Sequence, residues 1–296
     1  MTGWLVVNEF LNNNKFNEIH QWLIDAAKKQ NIVLDLKSNA ELMVILENEN
    51  NENQYTKKNK PEADFVLFWD KDIRLAYYLE QKGHKVFNSA EAIASCDDKS
   101  LTHLKLMDKG IPMPKTIIAP MTFDNIGYNN INFLERVAGQ LGFPLVLKEV
   151  FGSFGQQVYL IEDMEHLQEK ISTLGTSPIL FQEYIKSSHG RDIRLQVVGD
   201  KVIASMMRIS QTDDFRANVS IGGRMEAYNP TKEEVDLAIK SCDILELDFA
   251  GVDLLFAEDG KALVCEVNSN AHFKNIYDCT GVNAADEIIS YIARKI

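Results

Sequence analysis

The sequence predicts an α/β protein of several lobes, and three stretches of the chain carry this prediction. In residues 1–95, short apolar runs alternate with segments that have helical periodicity. A helix with an acidic start follows near residue 97, and from Ile179 onward short strands and Gly-containing turns dominate. We therefore expect lobe boundaries near residues 95 and 182.

Composition and charge restrict the classes of function. The 296 residues are 45% hydrophobic and 25% charged, which is a globular composition, and the net charge is -12. A charge of this sign repels polyphosphate backbones, so nucleic acid is not an expected partner. The sequence shows no signal peptide and no run of about 20 apolar residues, so we expect a cytoplasmic protein without a membrane segment.

The first lobe has the pattern of a βαβ unit. Its predicted strands are residues 4–7, 32–36, 65–69 and 85–87, and its predicted helices are residues 16–27 and 73–79. The polar run at residues 47–60 separates the two halves of this pattern. We expect this run to be an exposed loop.

The central lobe is predicted to begin with a helix. Asp97 and Asp98 favour a helix start, and Leu101, Leu104 and Met107 then share one apolar face.

The strongest chemical signal is a predicted hairpin with a turn at Asp259-Gly260. A two-residue turn would set Asp253 opposite Glu266, and the strand period places Asn268 on the same face. Carboxylate and amide oxygens suit magnesium that is held together with substrate phosphates. The alternative is that Asp253 and Glu266 pair with Lys or Arg from elsewhere in the fold.

The same count divides the apolar residues of the hairpin between its two faces. It places Leu255 and Val264 on the face of Asp253, and Cys265 on the opposite face. Cys265 is therefore expected in the core. The four cysteines have neither disulfide nor zinc-site spacing.

A second signal is the segment PLVLKEVFGSFGQQV. Lys148 lies in a predicted strand, and Gly152, Ser153 and Gly155 follow it in a predicted loop. Such a combination sets a positive charge and a flexible backbone over a polyphosphate. The alternative is a solvent-facing lysine beside an ordinary turn, and neither the Walker nor the Rossmann glycine pattern is present.

A third signal in the β-rich lobe is a series of arginines, which consists of Arg191, Arg194, Arg208, Arg216 and Arg224. Arg208 and Arg216, with Asn218 close by, fit recognition of a phosphoryl or acyl group, because arginine binds such oxygens bidentately. Arg191 and Arg224 are interpreted as solvated rim charges. No metal-binding histidine spacing and no serine nucleophile motif is present.

The order of motifs then becomes informative. From Asn88 onward the chain contains NSAEAIASCDDKSLTHLKLMDKGIPMPKT, PLVLKEVFGSFGQQV, FQEYIK, FRANVSIGG, FAGVDLLF and CEVNSN. In this order the chain resembles a RimK-like member, of the α-L-glutamate ligase type, of the ATP-grasp superfamily. The resemblance implies an α/β ATP-grasp fold with a Rossmann-like pre-ATP-grasp domain at 1–95, a central lobe at 96–181 and a C-terminal, metal-binding lobe at 182–296.

The resemblance also implies roles for individual residues, with ATP between the last two lobes. The residues implied to contact ATP are Lys99, Lys148, Gly152, Ser153, Gly155, Gln182, Glu183, Tyr184, Ile185 and Asp192. Asp253, Glu266 and Asn268 would bind two Mg²⁺ ions, with Mn²⁺ as a substitute. Arg208, Arg216 and Asn218 would hold the transferred phosphoryl group and the acyl group.

The implied reaction is ATP-dependent joining of a carboxylate to an amine through an acyl phosphate. The expected partners are ATP and amino-acid and carboxylate substrates, and the acceptor (small molecule, peptide or protein) and a homo-oligomer are left open. A ligase that modifies a precursor peptide and an inactive ATP-binding regulator are the alternatives. After Asn268 the chain departs from the small-Pro-Gly pattern of glutamate-adding relatives, which makes His272, Phe273 and Lys274 candidates for acceptor recognition.

Overall fold

The computed structural model describes residues 1–11, 13–46, 62–152, 155–217 and 222–296. The predicted loop at 47–60 lies outside these ranges, as do Ser153 and Asn218 of the predicted site. Among the described residues, no helix has the length and apolar character required to cross a membrane.

The N-terminal sheet is parallel, with the strand order β2-β1-β3-β4. Its elements are β1 (Thr2–Val7), α1 (Asn14–Lys29), β2 (Val33–Ser38), β3 (Phe65–Phe68), α2 (Ile73–Gln81) and β4 (Val86–Phe87). All of β3 is buried, as expected for a parallel strand that is covered on both faces. The predicted alternation of strands and helices in this region is confirmed.

The central sheet is antiparallel, with the order β5-β8-β6-β7. Its elements are β5 (Thr116–Ile118), α5 (Phe133–Leu141), β6 (Leu145–Glu149), β7 (Val158–Ile161), α6 (Met164–Leu174) and β8 (Ile179–Glu183). Strand β8 pairs with β6 up to Glu183, so it runs across the expected boundary after residue 181. We place the end of this lobe after Glu183.

The C-terminal sheet is antiparallel, with the order β11-β10-β9-β12-β13. Its elements are β9 (Arg191–Val198), β10 (Lys201–Ile209), β11 (Arg224–Ala227), α7 (Lys232–Ile244), β12 (Phe249–Phe256) and β13 (Ala262–Asn268). Helix α7 covers one face, where Leu195, Val252 and Val264 are buried. The charged residues of the sheet lie on the opposite face, toward the central sheet.

Two short helices, α3 (Ala90–Asp97) and α4 (Lys99–Leu106), join the N-terminal and central lobes. The predicted helix start is confirmed, because Asp98 accepts hydrogen bonds from the first-turn N–H groups of α4. The predicted apolar face, however, is exposed. Thr102 and His103 are buried instead, because they hydrogen-bond to Ser95 and Gln182.

The chain folds back onto its first lobe at its C-terminal end. Helices α8 (Lys274–Thr280) and α9 (Ala284–Lys295) follow β13. Ile288 and Ile292 of α9 pack with Ile19 and Leu23 of α1 in the N-terminal core. Residues of the expected 182–296 lobe therefore complete the core of the expected 1–95 domain.

One buried amide ties these lobes together. Asn88 is fully buried, and its Nδ2 donates to the carbonyl oxygens of Phe249 (2.9 Å) and Ser269 (3.0 Å). Its Oδ1 accepts from the N–H groups of Asp248 (2.7 Å) and Phe249 (3.2 Å). With every hydrogen-bonding position occupied, Asn88 fixes the end of β4 against the start of β12.

Candidate active-site cleft

A cleft between the central and C-terminal sheets brings together most of the predicted site. The predicted residues that line it are Lys99, Lys148, Gly152, Gly155, Gln182, Glu183, Tyr184, Ile185, Asp192, Arg208, Arg216, Asp253 and Glu266. Asn268 lines an adjoining cavity instead. Strands β6, β8, β9, β10, β12 and β13 all contribute side chains, so the cleft exists only in the folded chain.

At one end of the cleft the polar contacts are neutral. Gln182 is 2% exposed, and its Nε2 donates to Thr116 Oγ1 (2.9 Å) and to His103 Nε2 (3.0 Å). Burial lowers the pKa of His103 to about 4, so the ring is neutral and Nε2 is free to accept. The other ring nitrogen, Nδ1, faces the sulfur of Met113 at 3.3 Å. These bonds hold the end of β8 in place.

Two lysines line the cleft together with Gly152 and Gly155. Lys148, on β6, is 7% exposed, and its Nζ lies 3.5 Å from Cys265 Sγ. Its burial excludes the alternative of a solvent-facing lysine. Lys99, the first residue of α4, directs its Nζ to the carbonyl oxygen of Gly152 (3.1 Å) and lies 3.6 Å from Glu266.

Gly155 is bound by a side chain of the C-terminal lobe. Gly152 (φ 156°) and Gly155 (φ 72°) have backbone angles that side-chain-bearing residues rarely adopt. Arg216 donates from Nη1 to the carbonyl oxygen of Gly155 (2.7 Å), and Asp214 binds the same guanidinium. Arg216 therefore connects the C-terminal lobe to Gly155 of the central lobe.

Two arginines and two aspartates form a buried ion-pair network across three neighbouring strands. Arg208 on β10 binds Asp192 on β9 through two hydrogen bonds of 2.6 and 2.9 Å. Arg194 on β9 binds Asp253 on β12 through two bonds of 2.6 Å, and Arg208 Nη2 also lies 3.0 Å from Asp253 Oδ2. Burial alone would raise the pKa of Asp253, but the two guanidinium groups outweigh it and hold that pKa below its usual range.

The ion-pair network includes Asp253, which is one of the three predicted metal ligands. Both carboxylate oxygens of Asp253 contact arginine, which is the pairing considered as the alternative from sequence. Glu266 keeps 30% of its side chain exposed, and the described residues contain no group of three His, Cys, Asp or Glu side chains that could hold a metal alone. Glu266 and Asn268 still offer oxygens of the type that binds Mg²⁺ together with substrate phosphates.

The predicted pairing of Asp253 with Glu266 is confirmed, but the path to it differs. Leu254 pairs with Val264, so the turn holds three residues, with Gly260 at φ 81°, and Cys265 forms a bulge that restores the register. The predicted faces for Val264 and Cys265 were therefore wrong. Val264 is buried under α7, and Cys265 faces Lys148 in the cleft.

Sequence reasoning named Arg194 among the arginines of this lobe without giving it a specific role, and it placed Cys265 in the core instead of the cleft. A signal for Arg194 was present, because Asp192 and Arg194 are two apart in a strand and must share a face. Pairing Arg194 with Asp253, however, requires that β9 lie beside β12, a contact between strands far apart in the chain. The bulge at Cys265 has no local sequence signal that we can identify.

A cavity of about 580 Å³ adjoins the cleft and shares Arg208, Gly155 and Glu266 with it. Its remaining walls come from both ends of the chain. They include Asn8, Lys15, Asp70, Lys71, Arg194, Asn268, Asn270 and His272. Of the three acceptor-recognition candidates, only His272 lines this cavity, because Phe273 is fully buried in the core and Lys274 pairs with Glu18 and Asp278.

The chain is similar to a known protein family and to individual known proteins. A sequence model of the RimK-like ATP-grasp domain matches residues 96–292. Beta-citrylglutamate synthase B from Danio rerio is 34% identical over 224 residues, which are 75% of this chain and 54% of that protein. N-acetylaspartylglutamate synthase A from Homo sapiens is 38% identical over 205 residues, which are 69% of this chain and 51% of that protein. The chain thus spans about half the length of these relatives.

The fold has solved counterparts. The structure of the ATP-grasp ligase PsnB complexed with minimal precursor, Mg and ADP aligns with a TM-score of 0.72 at 17% identity and covers 100% of this chain and 97% of that one. This likeness shows an ATP-grasp fold, as the sequence resemblance predicts.

Proposed function

Because the chain belongs to the RimK-like ATP-grasp family, we propose that it is an ATP-dependent ligase that joins a carboxylate to an amine. The observation that carries the proposal is the convergence of Lys99, Lys148, Arg208 and Glu266 in one cleft between two lobes. A buried lysine (Lys148) and a largely buried one (Lys99) suit a polyphosphate, and a cleft between two lobes suits an intermediate that water would destroy.

The proposed chemistry has two steps. A carboxylate oxygen attacks the γ-phosphorus of ATP, the bond from that phosphorus to the bridging oxygen breaks, and ADP leaves. The amine nitrogen then attacks the acyl carbon, the acyl carbon–oxygen bond breaks to release phosphate, and the nitrogen loses a proton. Lys99 and Lys148 offset charge on the phosphates, and Arg208 and Arg216, with Asn218, stabilise the transferred group.

Adenine would lie at the neutral end of the cleft. Gln182 to Ile185 line this end, and the hydrogen bonds of Gln182 to Thr116 and His103 keep its strand rigid. Asp192 would face the ribose, although its carboxylate is already bound by Arg208.

Mg²⁺ supplies positive charge that neutralises the phosphates during transfer. Glu266 and Asn268 would hold it. We propose that two such ions bind and that Mn²⁺ can replace them. Both oxygens of Asp253 already accept hydrogen bonds from arginine, which leaves one lone pair on Oδ1 for a metal. The role of Asp253 in the structure is to keep Arg194 and Arg208 in position.

We further propose glutamate as the amine substrate, because both curated relatives named above are synthases of glutamate-containing products. Identity of 34–38% to these proteins favours this reading over precursor-peptide modification, for which the structural likeness at 17% identity supports the fold alone. A regulator without catalysis would not need both lysines, Arg216 and Glu266 in one cleft.

The test is a screen of carboxylate acceptors with L-glutamate, ATP and Mg²⁺, read as ADP release and as the mass of the product. We expect ADP, phosphate and an amide with one acceptor class. Glu266→Gln should remove most of this activity while the protein stays folded, because the variant loses the charge that holds Mg²⁺ against the phosphates.

The matched control is Glu258→Gln, in the turn of the same hairpin and outside the cleft, which should keep full activity. Release of AMP and pyrophosphate, or full activity of Glu266→Gln, would refute the proposed mechanism.

A further inference from the structure

The start of helix α1 forms one wall of the 580 Å³ cavity. Lys15, Phe16 and His20 line the cavity from this helix, and Arg194 of β9 lines it from the C-terminal lobe. His272 fixes the helix start, because its Nε2 donates to the carbonyl oxygen of Lys15 (3.2 Å) and its ring lies edge-on to that of Phe16. The backbone of Lys15 is therefore held at the cavity wall.

This part of the cavity is electropositive. Burial, together with the positive charges of Lys15, Arg194 and Lys274, lowers the pKa of His272 to about 4, so the ring is neutral. Lys15 and Arg194 line the cavity, whereas Lys274 does not. A ligand in this part of the cavity therefore meets an ammonium group and a guanidinium group.

The position of Lys15 opposes the stability of its own helix. Lys15 lies in the first turn of α1, and the N-terminal end of a helix carries a positive partial charge. Acidic residues are favoured at such an end, and the first turn of α1 contains none. A lysine at this place is not explained by helix stability, whereas a cavity that takes an anion explains it.

Arg194 adds a hydrogen-bond donor to the charge of Lys15. Its Nε and Nη2 donate to Asp253, and its Nη1 makes no hydrogen bond within the described parts of the chain. Because Asp192 and Asp253 balance the charges of Arg194 and Arg208, Lys15 supplies net positive charge and Arg194 supplies a directed N–H group.

Asp70 and Glu266, which also line the cavity, have partners within the fold. Asp70 accepts hydrogen bonds from Asn8 Nδ2 (3.1 and 3.2 Å), and burial raises its pKa. Glu266 lies 3.6 Å from Lys99 and is shared with the cleft, where it would hold Mg²⁺. Arg208 is shared with the cleft as well, so the cavity borders the reacting end of the ATP site.

We propose that Lys15 Nζ and Arg194 Nη1 bind a substrate carboxylate that takes no part in the reaction. The inference rests on the proposed function and names the chemistry of its substrates, since one of them must carry a carboxylate besides its reacting group. Lys15 lies outside residues 96–292, which the family model matches, so membership of the family gives this residue no role. The carboxylate belongs to the acceptor or to L-glutamate, and the experiment separates these two sources.

The experiment compares binding of acids with binding of amides that lack one carboxylate. Succinate and succinamate form the acceptor set, and L-glutamate, L-glutamine and L-isoglutamine form the amine set. Calorimetric titration of the full chain with ADP and Mg²⁺ present needs no turnover, so it stays informative if ligation is not observed. In one set, the wild type should bind the acid roughly tenfold more tightly than an amide, the effect of one charge-assisted hydrogen bond. That set identifies the source of the carboxylate.

Substitutions at Lys15 separate recognition from a structural role. Lys15→Met should reduce the preference to about equal affinity for acid and amide, and Lys15→Arg, which keeps the charge, should retain most of it. The melting temperature of Lys15→Met should not fall below that of the wild type, because the lost charge opposes the positive end of α1. The matched control is Lys28→Met on the same helix, which removes an exposed pair with Asp25 and should bind as the wild type does.

In the ligation assay, Lys15→Met should raise KM for the same substrate about tenfold and leave KM for ATP unchanged. Equal binding of acid and amide by the wild type in both sets would overturn the assignment. So would a preference that Lys15→Met leaves unchanged, or an equal loss of affinity for acid and amide in that variant, which is the sign of a structural role. A preference that depends on Lys15 in a protein that ligates no acceptor would count against the proposed function alone.

Discussion

Two polar regions border the same cavity and differ in how their buried groups are satisfied. In the ion-pair network of Asp192, Arg194, Arg208 and Asp253, each side chain has its partner within the fold. At His272, one ring nitrogen is bound by the backbone and the other is buried without a partner in the described chain. The network therefore positions charge at the cleft, whereas the fold leaves the second ring nitrogen of His272 without a hydrogen bond from the described residues.

The largest effect on stability is expected from a substitution at Arg208, in the ion-pair network. Arg208→Met leaves Asp192 without its bidentate partner in a buried site, so we expect the free energy of unfolding to fall by about 3–5 kcal/mol. Arg224→Met, which removes a half-exposed pair with Glu226, should cost at most about 1 kcal/mol. Denaturant titrations measure both values, and similar small losses in the two variants would show that the network does not stabilise the fold.

A smaller effect is expected at His103, where the free energy of unfolding should depend on pH. The pKa of His103 is about 4 in the folded protein, below its usual value of 6.5, so the unfolded chain takes up a proton first as the pH falls. The stability that the neutral ring supplies is present above pH 6.5 and is lost toward pH 4. From pH 7 to pH 5, the wild type should therefore lose about 2 kcal/mol more than His103→Gln does. Parallel losses in the two proteins would contradict a buried neutral histidine.

Local patterns predicted much of the molecule. The alternation of strands and helices at the N-terminus, the start of α4 at Asp98 and the pairing of Asp253 with Glu266 all follow from short-range rules of periodicity, capping and hairpin geometry. The hairpin also shows the limit of those rules. A longer turn and a bulge offset each other, so the pairing was right although two face assignments were wrong.

What the sequence did not disclose depends on contacts between distant parts of the chain. Arg194 reaches Asp253 because β9 lies beside β12, and α9 completes the core around α1. The apolar face of α4 points outward for the same reason. Thr102 and His103, on its buried face, hydrogen-bond to Ser95 and Gln182. The cavity at His272 likewise needs both ends of the chain.

The central claim is that the cleft transfers the γ-phosphoryl group of ATP to a carboxylate before the amine attacks. Its most direct test uses an acceptor whose carboxylate carries heavy oxygen, with L-glutamate, ATP and Mg²⁺. Mass spectrometry of the released phosphate reports which bond was made. We predict that the phosphate carries one heavy oxygen from the carboxylate, because the acyl carbon–oxygen bond breaks when the amide forms. Phosphate without the label, beside a correctly formed amide, would contradict the acyl phosphate and the mechanism built on it.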